Sequence, residues 1–429
     1  MIFPCLYTIY HNIYLQDSNT LNIINKGPIV NSKYFSDDPN LTKFGYFQVR
    51  NFKSFSKYEA WQYVHNNNIS INELYFNFND DLLNQSDWTI EPKESIEELY
   101  IKRAMQLREK YDYLVLMYSG GIDSHVMLHT FLDNDIKIDE VIVCTNLEFL
   151  SKKDKFNQEI FEVALPHLES LNLNAKGIKL NVVDVGNLIQ NQYLDEYQLN
   201  NFLYNANGTL ATWTIAIRSG LFKLQQKHQL DISNNGQSIG YVWGLDKPSI
   251  KINDGFYCFR YGDYAPDFAC KNYYSKVVYG KELSNFTDEA FYVSVEVPEL
   301  TIKQAHLISN ELLNMTPNDN RLAGVDMLAN TGPFILHKSN NWLKKKELEK
   351  IIYPNAPHDL FGDDKVKGSI MFSSRDAWFY KSKHLSRNLF LQKIKTALRV
   401  HEDYFMYLID GHPKNSILVS GVAHNIVKT

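Results

Sequence analysis

Apolar positions along the chain follow two different periods. Short runs rich in branched and aromatic residues recur at Tyr113–Met117 (YLVLM), residues 140–144 (EVIVC), 178–183 (IKLNVV) and 238–243 (SIGYVW). Runs of this length without strict alternation suit strands buried on both faces of a parallel sheet. Between them the spacing lengthens. Ile96, Leu99, Ala104 and Leu107 recur near every third or fourth position up to residue 110, behind a Ser95/Glu98 pair placed as a capping box. Val126, Met127, Leu128, Phe131 and Leu132 continue in helical spacing after the first run, and Leu210, Trp213, Ile217, Leu221 and Leu224 mark a helix over residues 209–229. Strands alternating with helices predict an α/β fold with a parallel, doubly wound sheet, its ligand lying outside the carboxyl ends of the strands.

The flanks have a different character. Residues 1–95 are rich in Tyr, Phe and Asn, with strand-like pieces at 5–10 and at Tyr46–Val49, a short helix near 58–65 and no chemical motif. This reads as an N-terminal α+β accessory region. Residues 251–264, KINDGFYCFRYGDY, predict a hairpin turning at Asn253, Asp254 and Gly255. Helical patterns return at 301–313, 341–352 and 388–409. The expected division is 1–95, then a core over 96–285, then a mainly helical region over 286–429.

The chemistry concentrates in one loop. Ser119, Gly120, Gly121, Ile122, Asp123 and Ser124 join the first strand to its helix, which the apolar pattern starts at His125. Adjacent glycines let a ligand approach the main chain closely. Loop amides and the first N–H groups of a helix converge on a point that favours an anion. Two serines add hydroxyls. Asp123 would repel a phosphate unless a divalent cation such as Mg²⁺ stood between them. The same letters would also serve as an ordinary turn with Asp123 or Ser124 as N-cap. A Walker loop is excluded by the missing Gly-Lys-Ser/Thr ending.

The stretch 119–124 resembles the SGGxDS pyrophosphate loop of the N-type ATP pyrophosphatases, a superfamily that includes asparagine, GMP and NAD synthetases, argininosuccinate synthetase and several tRNA-modifying enzymes. The resemblance implies an adenine nucleotide alpha hydrolase-like core that binds ATP and Mg²⁺. In this family ATP adenylates a carbonyl or carboxylate oxygen, Mg-pyrophosphate leaves, and a nucleophile displaces AMP. Asp123 would then hold the metal, while Ser119, Gly120, Gly121, Ile122 and Ser124 cradle the pyrophosphate. Thr145 and Asn146, just past the second strand, would neighbour the nucleotide; they read equally as a polar loop. After the fourth run, Gly244, Leu245, Asp246, Lys247 and Pro248 are similar to the second loop of asparagine synthetases, which implies a metal contact for Asp246 and a catalytic place for Asp246 and Lys247. Lys247 stands where that family carries an acidic residue, and a second glycine is missing.

Within the superfamily, position 2 is Ile2 and not the cysteine of a glutaminase domain, so the resemblance is to the synthetase part of asparagine synthetases alone. The expected partners are ATP, a small-molecule acceptor and ammonia or another amine. A basic cluster of Lys381, Lys383, Arg387, Lys393, Lys395 and Arg399 leaves a second reading open, modification of an RNA base. A third is a nucleotide-binding module without turnover. Net charge of −5 gives no bulk attraction to nucleic acid. No apolar run reaches the ~20 residues of a membrane span, and the start lacks a signal-peptide pattern. Cys5, Cys144, Cys258 and Cys270 show no CxxC spacing, which points to a reducing cytoplasm and to no structural zinc.

Overall fold

The computed structural model describes residues 30–33, 35–145, 147, 151–153, 155–184, 228, 231–232, 236–244, 248–262, 286–323, 335, 337–339, 341–360, 405–409, 412–415 and 420–429. The N-terminal part is a four-stranded sheet in the order β1-β3-β2-β4, formed by β1 (Val30–Asn31), β2 (Tyr46–Val49), β3 (Phe52–Ser54) and β4 (Leu74–Asn77). Helix α1 (Lys57–Asn66) covers it, its N-terminus capped by the Ser56 side chain, which accepts from the Glu59 amide. Ala60 and Val64 of α1 share a core with Phe47, Val49 and Phe52 of the sheet. The strand at Tyr46–Val49 and the helix near residue 58 thus form as expected.

Helix α2 (Ile96–Lys110) starts with the anticipated capping box: the Ser95 amide donates to Glu98 Oε2 at 2.7 Å and the Glu98 amide to Ser95 Oγ at 3.1 Å. It leads into β5 (Tyr113–Met117), followed by α3 (Ile122–Leu132), β6 (Glu140–Thr145), α4 (Lys155–Glu159), a π-helical turn at Ile160–Ala164, α5 (Leu165–Ser170) and β7 (Lys179–Asp184). Beyond lie β8 (Ile239–Trp243), the hairpin β9 (Ser249–Asn253) and β10 (Phe256–Gly262), and β11 (Phe286–Ala290). Then come α6 (Pro298–Asn314), the short pair β12 (Leu322–Ala323) and β13 (Trp342–Leu343), α7 (Lys345–Ile352), and β14 (Phe405–Ile409), β15 (His412–Asn415) and β16 (Ser420–Lys428). No helix of the described residues is long and apolar enough to cross a membrane.

Five strands form one sheet in the order β11-β8-β5-β6-β7, and every neighbouring pair is parallel. The chain runs outward from β5 through β6 to β7, then returns to place β8 and β11 on the other side. The order therefore reverses beside β5. Successive side chains point to opposite faces, and both faces are dry: Leu114, Leu116, Val141, Val143 and Val242 join the core under α2, α3 and α6, while Val115, Met117, Ile142, Ile239 and Tyr241 form the core on the other face. Burial on both faces is why β5, β6 and β8 read as unbroken apolar runs; β7, at the sheet edge, is only partly buried, with Val182 45 % exposed.

The structure departs from the sequence pattern at three places. Helix α3 begins at Ile122, three residues before the apolar spacing starts, because its first turn carries the loop residues. Phe405–Ile409 is a strand paired antiparallel with β15, not the end of a helix over 388–409; its five apolar residues in a row, FMYLI, satisfy either period. The parallel sheet takes β11 from beyond residue 285, where the core was expected to end. The helix over 209–229 and the strand at 5–10 lie outside the described residues.

Glu289 of β11 ties these parts together. Its side chain is 2 % exposed and meets Lys43 of the N-terminal part, Arg103 at 3.3 Å and Lys110 at 3.2 Å, both of α2. Tyr111 donates its hydroxyl to the same carboxylate. Burial alone would raise the Glu289 carboxyl; attraction to Lys43, Arg103 and Lys110 outweighs it and holds the group down at about 2. Burial wins at the partner, where the Lys43 ammonium falls to about 8.

Replacing Glu289 with Gln leaves those cations uncompensated and is expected to destabilise the protein by ~3–5 kcal/mol at neutral pH. Because the folded carboxyl titrates below its ordinary value, its contribution is present above about pH 4.5 and is lost as pH falls toward 2. Denaturant melts of wild type and Glu289→Gln should therefore converge as pH is lowered through that window.

Candidate functional site

Strand β5 stays in the ladder one residue past its end, with the Tyr118 amide donating to Ile142 O at 2.8 Å, and the chain then turns. Gly120 has φ +81°, and a Cβ there would lie 2.8 Å from the Ala164 side chain. Both facts require glycine. Gly121 is the N-cap of α3, and no side chain caps the helix. Neither Asp123 nor Ser124 is the N-cap, so the ordinary-turn reading of these letters does not describe this loop. The first-turn N–H groups, those of Ile122, Asp123 and Ser124, have no acceptor within the helix and sit at its positive end.

The two serines organise the loop. The Ser119 amide donates to Ser124 Oγ at 3.2 Å, and the Gly121 amide to Ser119 Oγ at 3.3 Å. Ser124 Oγ donates to Gly121 O at 2.9 Å. Ser124 is buried, 3 % exposed, whereas Ser119 is exposed. Ser119 Oγ also meets Ser124 Oγ at 3.2 Å, so both hydroxyls brace the loop, and the exposed Ser119 is the one a ligand can reach. Ile122 buries its side chain and offers only its backbone.

Asp123 is half-buried. Its Oδ1 accepts from the Tyr353 hydroxyl at 2.7 Å and its carbonyl from the Tyr292 hydroxyl at 2.6 Å. Tyr353 directly follows α7 and Tyr292 follows β11. Burial first, and for Tyr353 the Asp123 charge next, push both phenols well above their ordinary value, so both remain donors. Tyr100 backs them, donating to Ile352 O at 2.8 Å and accepting from Gln304 Nε2 at 3.3 Å. Sequence reasoning missed Tyr292 and Tyr353. Nothing in their local spacing sets them apart from the chain's 27 tyrosines.

Gly244 closes the site from the neighbouring strand. Met117 and Trp243 are register partners in β5 and β8, so the two strands end level. A Cβ on Gly244 would lie 3.0 Å from the Asp123 carbonyl carbon and oxygen and from Ser124 Cα. The two strand-end loops therefore approach each other backbone to backbone at Gly244. Thr145 is buried at the end of β6, its hydroxyl donating to Val183 O at 3.4 Å. Asn146, Asp246 and Lys247 lie outside the described residues, as do Trp213, Arg218 and the basic cluster at 381–399.

This arrangement presents backbone donors at an uncapped helix start, an exposed hydroxyl and one half-buried carboxylate. It fits an anion on the amides. A carboxylate beside a bound anion suits a divalent cation shared between the two. No protein-family model and no curated protein matches the chain.

Proposed function

We propose that the chain is an ATP-dependent, AMP-forming ligase with a doubly wound, adenine nucleotide alpha hydrolase-like core, similar to the synthetase part of asparagine synthetases. It would adenylate a carbonyl or carboxylate of a small acceptor and pass the activated group to ammonia or another amine. The observation that carries this reading is the backbone approach of Gly244 to Asp123 and Ser124 beside the left-handed Gly120. Two loops at neighbouring strand ends, at the reversal of strand order, frame the place where an α/β sheet binds its ligand. The absence of a capping side chain leaves the amides of α3 for phosphate oxygens.

In this reading the first-turn amides of Ile122, Asp123 and Ser124 and the Ser119 hydroxyl hold the pyrophosphate, with Gly120 and Gly121 letting it approach the main chain, and Tyr353 and Tyr292 fix Asp123 in place. Mg²⁺, when bound, would neutralise charge on the departing pyrophosphate, with Asp123 and Asp246 as its protein ligands. Lys247 would add positive charge beside the same group. The acceptor and amine would lie over the ends of β5 and β8.

Turnover with the right acceptor should yield AMP and pyrophosphate. Labelled ATP, screened against small carboxylates with ammonia and against tRNA, reads this directly; ADP and phosphate as main products would contradict the proposal, and products formed only with tRNA would move the acceptor to RNA.

Asp123→Asn keeps an oxygen to accept from Tyr353, so the fold should survive while kcat falls ~100–1,000-fold, the usual cost of losing a preorganised charge partner. Near-normal turnover in a folded variant would remove Asp123 from the site. Gly244→Ala places a methyl against the backbone of Asp123 and Ser124; relief of that ~1–3 kcal/mol of overpacking by moving the loops should weaken ATP binding ~10-fold or more, as calorimetry would show.

A further inference from the structure

One cluster of side chains lies outside the nucleotide site and has no part in the proposed reaction. His125 and His129 stand one turn apart on α3, and His167 faces them from α5. One ring nitrogen from each residue lies within 4.8 Å of the other two. His129 Nε2 and His167 Nε2 are 3.0 Å apart. We propose that His125, His129 and His167 form a binding site for a divalent late transition-metal ion, with Zn²⁺ as the fitting ion.

Three features support it. The first is distance: nitrogens bound to zinc at ~2.0–2.1 Å in tetrahedral geometry lie roughly 3.3 Å from one another, so His129 and His167 are near that spacing and a modest ring rotation brings His125 in. The second is the outer shell. Ligating imidazoles usually give their second nitrogen to a carboxylate or similar acceptor, which fixes the tautomer. Here His129 Nδ1 lies 3.2 Å from Asp133 Oδ2, and His125 Nδ1 lies 3.4 Å from the Tyr118 hydroxyl. For His129 this leaves Nε2 as the nitrogen that meets His167. The third is donor type. Three imidazoles without a carboxylate among them suit zinc, copper or nickel and not the hard cation placed at Asp123. The cysteine spacing that spoke against structural zinc says nothing about imidazoles.

His129 is 27 % exposed and His167 is half-buried, which gives an ion a path in and leaves water for the fourth position. The location has a consequence. His125 follows Ser124 directly, and His167 lies just beyond Ala164, the residue that walls Gly120. An ion here would tie both walls of the glycine loop together from behind.

The test is metal binding by the full-length protein, stripped by chelator and free of ATP, which keeps it independent of the ligase proposal. Zn²⁺ titrated against a competing chelator should bind at one ion per chain, and Co²⁺ should give the visible absorption of a tetrahedral site. His129→Gln and His167→Gln should each lose affinity by more than the ~10–100-fold expected for Asp133→Asn, which removes only an outer partner. His65→Gln, at an exposed histidine elsewhere, should bind as wild type. Zn²⁺ should raise the melting temperature of wild type and not of the two ligand variants. No Zn²⁺ uptake by wild type, or equal uptake by the folded His129→Gln and His167→Gln proteins, overturns the proposal.

Discussion

Between the backbone of Gly244 and the first turn of α3 there is no room for a side chain. That close approach sets the level at which β5 and β8 end, aligns the two loops and leaves the helix start uncapped. Gly120 imposes the matching condition on the other side, where its left-handed backbone packs against Ala164. A loop held by backbone on both sides keeps its amides in place without a ligand. Such preorganisation is what a site that stabilises developing charge requires.

The outer parts of the chain support this centre through buried polar contacts. Glu289 binds cations from the N-terminal part and from α2. Tyr353 reaches Asp123 from 230 residues away in sequence. Each contact is costly to break because the groups are dry: a charge or hydroxyl left unpaired there has no water to turn to. The flanking regions therefore act on the site by fixing Asp123, in addition to covering the sheet.

Much of the sheet was legible because burial on both faces leaves an unmistakable apolar run, as in Tyr113–Met117. The capping box at Ser95 and Glu98 was legible because it is local. The start of α3 was not, since Ile122, Asp123 and Ser124 obey the needs of the loop more than those of an apolar stripe. Phe405–Ile409 misled because a short apolar run carries no clear period. Tyr353, Tyr292 and the pairing of His167 with His129 depend on contacts distant in sequence, although the four-residue spacing of His125 and His129 was a signal available from the start.

The most direct measurement is a crystal structure of the chain with Mg²⁺ and the non-hydrolysable analogue α,β-methylene-ATP. The account predicts phosphate oxygens on the first-turn amides of α3, between Gly120 and Gly244, with the metal on Asp123. An analogue bound elsewhere, or a crystal soaked at saturating analogue with that helix start empty, would contradict it.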